Sequence, residues 1–216
     1  MKYWQCTICK YIHEGDEPPE KCPICGVPAD KFVEIDEKDI PEGKKPKTKV
    51  VQETPASSEP AQTIPEPEPE PDTLIGKVEA LLVKHHAHPV SVHTPNGVLP
   101  MAVVLYFMAW MFNADLLAKT AMISQIFVIL SLPFVIYTGT VEWRKKYNTA
   151  MTTVFKIKII SAALTSAICV ITLAWYVIDP VLLDSGKAGV FILMNFLMLA
   201  CAGIAGHIGG KLVFKD

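Results

Sequence analysis

Cys6-Thr7-Ile8-Cys9 and Cys22-Pro23-Ile24-Cys25 decide how the first part of the chain is read: two Cys-x-x-Cys pairs with twelve residues between them. Each pair sets two sulfurs on one side of a tight turn. Two such turns make a tetrahedral cage of four thiolates, which suits iron or zinc. Around them, residues 1–40 offer few sizeable apolar side chains, Tyr3, Trp4, Tyr11, Ile12, Phe32 and Val33 among them. So small a unit cannot rest on a hydrophobic core, and the metal must supply much of its folding free energy. Short strands are expected around 2–5 and 31–35, with the ligands on loops.

Working outward, the chain separates into zones of different charge. Residues 1–40 carry five Lys and nine acidic groups, and residues 41–73 four Lys and seven acidic groups. Residues 74–216 reverse the sign, with eleven Lys/Arg against six acidic groups. The overall net charge of −2 is therefore a cancellation between an acidic head and a basic-rimmed remainder. Basic residues do not interleave with aromatics in a soluble unit, which argues against a nucleic-acid partner. Met1–Trp4 run straight into the first Cys pair, so no cleavable leader is expected. A reducing cytoplasm for the head follows, where this spacing reads as a metal site rather than as disulfides. Cys169 and Cys201 fall inside apolar runs and read as small buried hydrophobes.

Residues 41–73 read as a linker ending in Pro65-Glu66-Pro67-Glu68-Pro69-Glu70-Pro71, a pattern that favours extended polyproline II. Residues 74–89 place Leu74, Ile75, Val78, Leu81 and Leu82 at helical spacing, as an amphipathic helix on a lipid surface would. Residues 90–216 contain four long apolar stretches, near 98–114, 121–140, 157–178 and 188–210. Three of them reach the ~20 residues a bilayer requires; the first does so only if it begins near Val90. Trp110, Trp143, Trp175 and Tyr176 stand at stretch ends, as an aromatic belt predicts. Nine Lys/Arg flank the spans on the side of both termini, and only Lys119 and Lys187 lie opposite. The positive-inside rule then puts both termini in the cytoplasm of a multi-pass protein of the cytoplasmic (inner) membrane. The acidic head is expected to dock there on the basic rim, through a contact that salt weakens.

Five of the six histidines lie in the membrane part. An up-and-down bundle returns the end of its last helix to the side where the first begins, so His93 and His207 are expected at one rim. They are the candidate cofactor residues, as a facing pair for haem b or as part of a quinone site. Gly203, Gly206, Gly209 and Gly210 around His207 would admit a flat macrocycle. The same glycines also fit simple close helix packing.

The run from Tyr3 through Gly26, with its Gly15–Pro19 turn and Cys22-Pro23-Ile24-Cys25-Gly26 knuckle, resembles the rubredoxin-like domain of the rubrerythrins over residues 1–36. The resemblance implies one iron held by Cys6, Cys9, Cys22 and Cys25 and carrying one electron. Lys10 departs from the family, which has Gly after the second Cys; a left-handed Lys there costs about 1 kcal/mol. No Glu-x-x-His repeats of a di-iron bundle follow, so peroxidase activity is not implied. Residues 85–214, with His88-Pro89-Val90-Ser91-Val92-His93, Gly139–Trp143 and Gly209–Val213, resemble a family of four-helix bacterial membrane domains of unassigned function.

The expected fold is a small metal-bound rubredoxin-like β domain plus an all-α four-helix transmembrane bundle. The expected function is a membrane-tethered one-electron carrier. It would link a soluble donor such as a rubredoxin reductase to a haem or quinone acceptor in the lipid. The alternative is a structural zinc ribbon serving as an interaction module on a transporter-like or scaffolding membrane protein.

Overall fold

The computed structural model describes residues 2–36 and 73–214. The Pro/Glu-rich linker lies outside the described residues except for Thr73. The head is a three-stranded antiparallel sheet of β1 (Lys2–Cys6), β2 (Ile12–Gly15) and β3 (Phe32–Ile35), in the order β2-β1-β3. Tyr3 faces Glu14 on one side of β1 and Ile35 on the other. The strands expected near 2–5 and 31–35 are present as β1 and β3. The edge strand β2, hairpin partner of the central β1, carries His13 and Glu14 and had no apolar alternation to announce it.

Six helices follow: α1 (Leu74–Lys84), α2 (Ala87–Ser91), α3 (His93–Phe112), α4 (Asp115–Tyr147), α5 (Thr153–Ile178) and α6 (Ala188–Phe214). Thr73 caps α1, its hydroxyl accepting from Gly76 N at 3.1 Å. Asn113 and Asn148 end α3 and α4 in the left-handed conformation, with φ of 50° and 45°. Counting α2 and α3 as one, four helices are long and apolar enough to cross a membrane. They pack as a ring in which α3 meets α4 and α6, and α5 meets α4 and α6.

At about 1.5 Å per residue, the 33 residues of α4 span about 50 Å, well beyond a ~30 Å hydrocarbon layer. Its last turns carry Glu142, Arg144, Lys145 and Lys146, a charged end beyond the apolar run. Basic residues at a helix C-terminus also complement its dipole. α1 lies against this extension, where its buried Glu79 receives Arg144 Nη2 at 2.6 Å and Lys145 Nζ at 3.7 Å.

Within the ring, one layer of aromatic rings is formed by Tyr106, Tyr176 and Phe191, with centroids 5.0–6.2 Å apart. A second layer holds Leu99, Val103, Val128, Cys169 and Met198. Between α4 and α5, buried Gln125 donates to Cys169 O at 2.9 Å and Thr172 Oγ1 at 2.7 Å. Cys169 and Cys201 are both buried among apolar neighbours, as small hydrophobes are.

Candidate metal centre and membrane cavity

The two Cys-x-x-Cys turns share one construction. Lys10 N donates to Cys6 O at 2.9 Å, and Gly26 N donates to Cys22 O at 2.9 Å. The donor is left-handed in each, with φ of 58° at Lys10 and 73° at Gly26. Lys10 thus occupies the strained position its neighbours in sequence imply, while glycine relieves the strain in the second turn. Both turns point their sulfurs inward. Cys6 Sγ lies 3.7 Å from Cys25 Sγ, Cys9 Sγ lies 3.5 Å from Cys22 Sγ, and all four fall within 4.8 Å of one another. A tetrahedral ion with metal–sulfur bonds of about 2.3 Å separates its sulfurs by about 3.8 Å, so the cage fits one ion.

All four cysteines are buried. Hydrogen bonds from Cys22, then Cys25 and Cys9, hold the Cys6 thiol far below its ordinary value. The Cys25 contact brings Cys22 down to about 7. Cys9 and Cys25 are pushed far upward, chiefly through their bonds to Cys22. Four thiolates cannot share so small a volume without a cation, and a divalent or trivalent ion removes the conflict.

The head does not sit apart from the helices. Cys6, Cys9, Cys22, Cys25, Ile24, Val27 and Phe32 form one buried cluster with Tyr147, Phe155 and Leu212 from the ends of α4, α5 and α6. Thr152, at the start of α5, donates its hydroxyl to Cys25 O at 2.6 Å. A Cβ on Gly26 would stand 3.6 Å from both Thr152 Cβ and Val154 Cγ2. The second turn thus presses its backbone directly onto the α4–α5 loop. The expected contact between an acidic head and a basic rim is replaced by an apolar one. Arg144 and Lys145 are engaged by Glu79, and Lys146 lies 3.0 Å from Glu142 on its own helix. Among the described residues, the ion pairs stay within the head or within the helices.

Beneath the docked head is a cavity of about 330 Å³, bordered by α2, α3, α4, α5 and α6. His88, His93, Glu142, Tyr147 and Lys158 are its titratable lining. His93 Nδ1 donates to Pro89 O at 2.8 Å. His207 is placed differently from the expected facing pair. It is exposed on α6 and does not line the cavity. Gly206, Gly209 and Gly210 turn inward instead, and a Cβ on Gly206 would meet Asn96 Nδ2 at 3.4 Å. His88, rather than His207, is the imidazole that shares the cavity with His93. Its ring packs so tightly on α4 that a Cβ on Gly139 would approach His88 Cε1 to 2.8 Å. That glycine, in the Gly139–Trp143 segment, was the available signal.

A buried four-cysteine cage folded onto four membrane-capable helices defines a membrane-associated metal-binding protein. Residues 84–216 match the model of a family described as predicted membrane protein (DUF2231), and the chain belongs to that family. Residues 4–33 match the rubredoxin-like domain of rubrerythrin. Reverse rubrerythrin-1 of Clostridium acetobutylicum is 54% identical over 43 residues, which are 20% of this chain and 23% of that protein. The similarity thus spans less than a quarter of that relative's length. No solved structure matches the chain.

Proposed function

We propose that this protein is a one-electron carrier docked on its own membrane acceptor site, with iron held by Cys6, Cys9, Cys22 and Cys25. The observation that carries the reading is the shared wall between the two sites. Tyr147 and Leu212 belong both to the buried cluster around the cysteines and to the lining of the cavity. A bound iron would supply a reversible one-electron change at the four thiolates. The chain supplies the rest: Trp4, Tyr11 and Phe32 pack around the sulfurs to limit water, and Thr152 fixes the second turn against the bundle.

The soluble donor is a reductase of the kind that serves rubredoxins. In this reading both termini face the cytoplasm and the spans lie in the inner membrane, supported by the asymmetry of nine basic residues against Lys119 and Lys187. Of the two acceptors, haem and quinone, the arrangement favours quinone. His207, the expected partner of His93, lies outside the cavity, and His88, the imidazole that shares it, is packed closely against Gly139 of α4.

The test is the visible spectrum of the intact protein. Ferric-thiolate charge transfer should colour it red, bleach on reduction and return on adding membrane lipid extract. A colourless protein carrying stoichiometric zinc after anaerobic, iron-supplemented expression would instead establish the head as a structural zinc ribbon.

A further inference from the structure

We infer that the cavity beneath the cysteine cage binds the head of a lipid-soluble quinone, with Lys158 as the donor to one of its carbonyl oxygens. The inference rests on the carrier reading above for its electrons, and on the cavity alone for its ligand.

Lys158 is the leading observation. It lies in the second turn of α5, inside a membrane-capable helix, and its Nζ reaches the wall at Gly209. Among the described residues its ammonium has no hydrogen bond and no carboxylate within 4.0 Å. An unpaired ammonium bordering a mostly apolar chamber is costly unless it serves a ligand. Glu142, the carboxylate on the same cavity, is taken by Lys146 at 3.0 Å. A neutral carbonyl acceptor meets the ammonium without bringing a further charge into a mostly apolar chamber.

The rest of the wall suits a flat ring. Gly206, Gly209 and Gly210 leave one side bare of side chains, and Leu132, Val135 and Ala202 supply apolar surface. Exposed Ile136 on α4 and Ala162 on α5 also border the chamber, so it reaches the lateral face where an isoprenoid tail would continue into lipid. On the head side, Tyr147 and Leu212 separate it from the sulfurs.

Reduction of one quinone to quinol takes two electrons and two protons. Two successive one-electron deliveries through the head, each replaced by the soluble reductase, supply the electrons. His88 on α2 and Lys158 on α5 hand over one proton each and regain it from the aqueous side. His93 on α3, with Glu142, Lys146 and Tyr147 on α4, are the other titratable groups on or beside that path.

The experiment uses the full chain in micelles with decylubiquinone as the probe. Binding to the oxidised protein is titrated first, and then the rate at which the probe reoxidises the anaerobically reduced head is followed. One site is expected. Lys158→Met should weaken binding about tenfold or more, the loss of one charge-assisted hydrogen bond. Ala162→Phe, on the exposed edge, should block binding without disturbing the buried core. Both should slow reoxidation in parallel while leaving the visible spectrum of the head unchanged. If both variants bind and reoxidise like the parent, the assignment is wrong. It is equally wrong if a short-chain phosphatidylglycerol displaces the probe and co-purifies in its place, since the cavity would then be a lipid-phosphate site. A protein that binds the probe as described but whose head never changes redox state would sink the carrier reading alone.

Discussion

Thr152→Val isolates the bond that ties the metal domain to the membrane helices. Valine keeps the shape of threonine and removes only the hydroxyl that reaches Cys25 O at 2.6 Å. Val154 stays packed against the cysteine cluster, and the methyl that replaces the hydroxyl keeps the volume of the side chain. A neutral hydrogen bond is worth about 1 kcal/mol net, and leaving a carbonyl unpaired in a closed interface costs up to about 3 kcal/mol. At 1.4 kcal/mol per factor of ten, the docked-to-undocked ratio should fall by about fivefold to a hundredfold. Spin labels at positions 30 and 140, in protein loaded with diamagnetic zinc, would report one narrow distance when docked and a broad distribution when released. Thr152→Ser, which keeps the donor, should behave as the parent. Raising salt from low to high should change neither distribution, because the interface is apolar and exposed charges alone are screened over about 10 Å at 0.1 M. A salt-sensitive distance that ignores Thr152→Val would falsify this account and restore charge attraction as the docking force.

Chelation of the metal, or Cys9→Ala, should unfold the head as judged by loss of its sheet signal, since zinc-type sites contribute about 10 kcal/mol or more to such folds. Metal uptake by the apo protein at pH 7 should release about four protons, because without its ion the head unfolds and its thiols return to about 8.5. Affinity should therefore rise with pH up to that region and fall in acid, measurable by calorimetry in buffers of different ionisation heat. Lys10→Gly should relieve about 1 kcal/mol of backbone strain at φ 58°, and Gly26→Ala should cost about 1 kcal/mol or more at φ 73°, both read as shifts in the unfolding midpoint of the loaded head. Thr172→Val, which removes the acceptor of Gln125, should destabilise the bundle by about 0.6–2 kcal/mol in a steric-trap or denaturant assay.

The cage was legible in the sequence because ligand spacing is a local property: two turns of fixed length dictate where four sulfurs go. The spans were legible for a similar reason, since apolar runs of the right length have few other uses. Their ends were less so. α4 continues through Glu142–Tyr147 because helical hydrogen bonding does not stop where hydrophobicity does. The docking interface left no separate mark. Tyr147, Phe155 and Leu212 look like ordinary rim residues until the head covers them. Charge suggested how head and rim might attract, but Glu79, distant in sequence from Arg144, had already claimed the rim's arginine. The histidines divide in a related way. Helical phase turns His207 outward when three neighbouring glycines turn inward, while His88 enters because Gly139 makes room for it.

That Tyr147, Phe155 and Leu212 are covered by the cysteine domain has a consequence for the life cycle of the protein. Their burial at 2–3% exposure exists only while the head is folded, and the head is folded only while it holds its ion. Metal supply and integrity of the membrane rim are therefore linked quantities, and each must raise the other. A copy without its ion would leave this aromatic ledge uncovered, so loss of the metal would be felt beyond the head, at the ends of α4, α5 and α6.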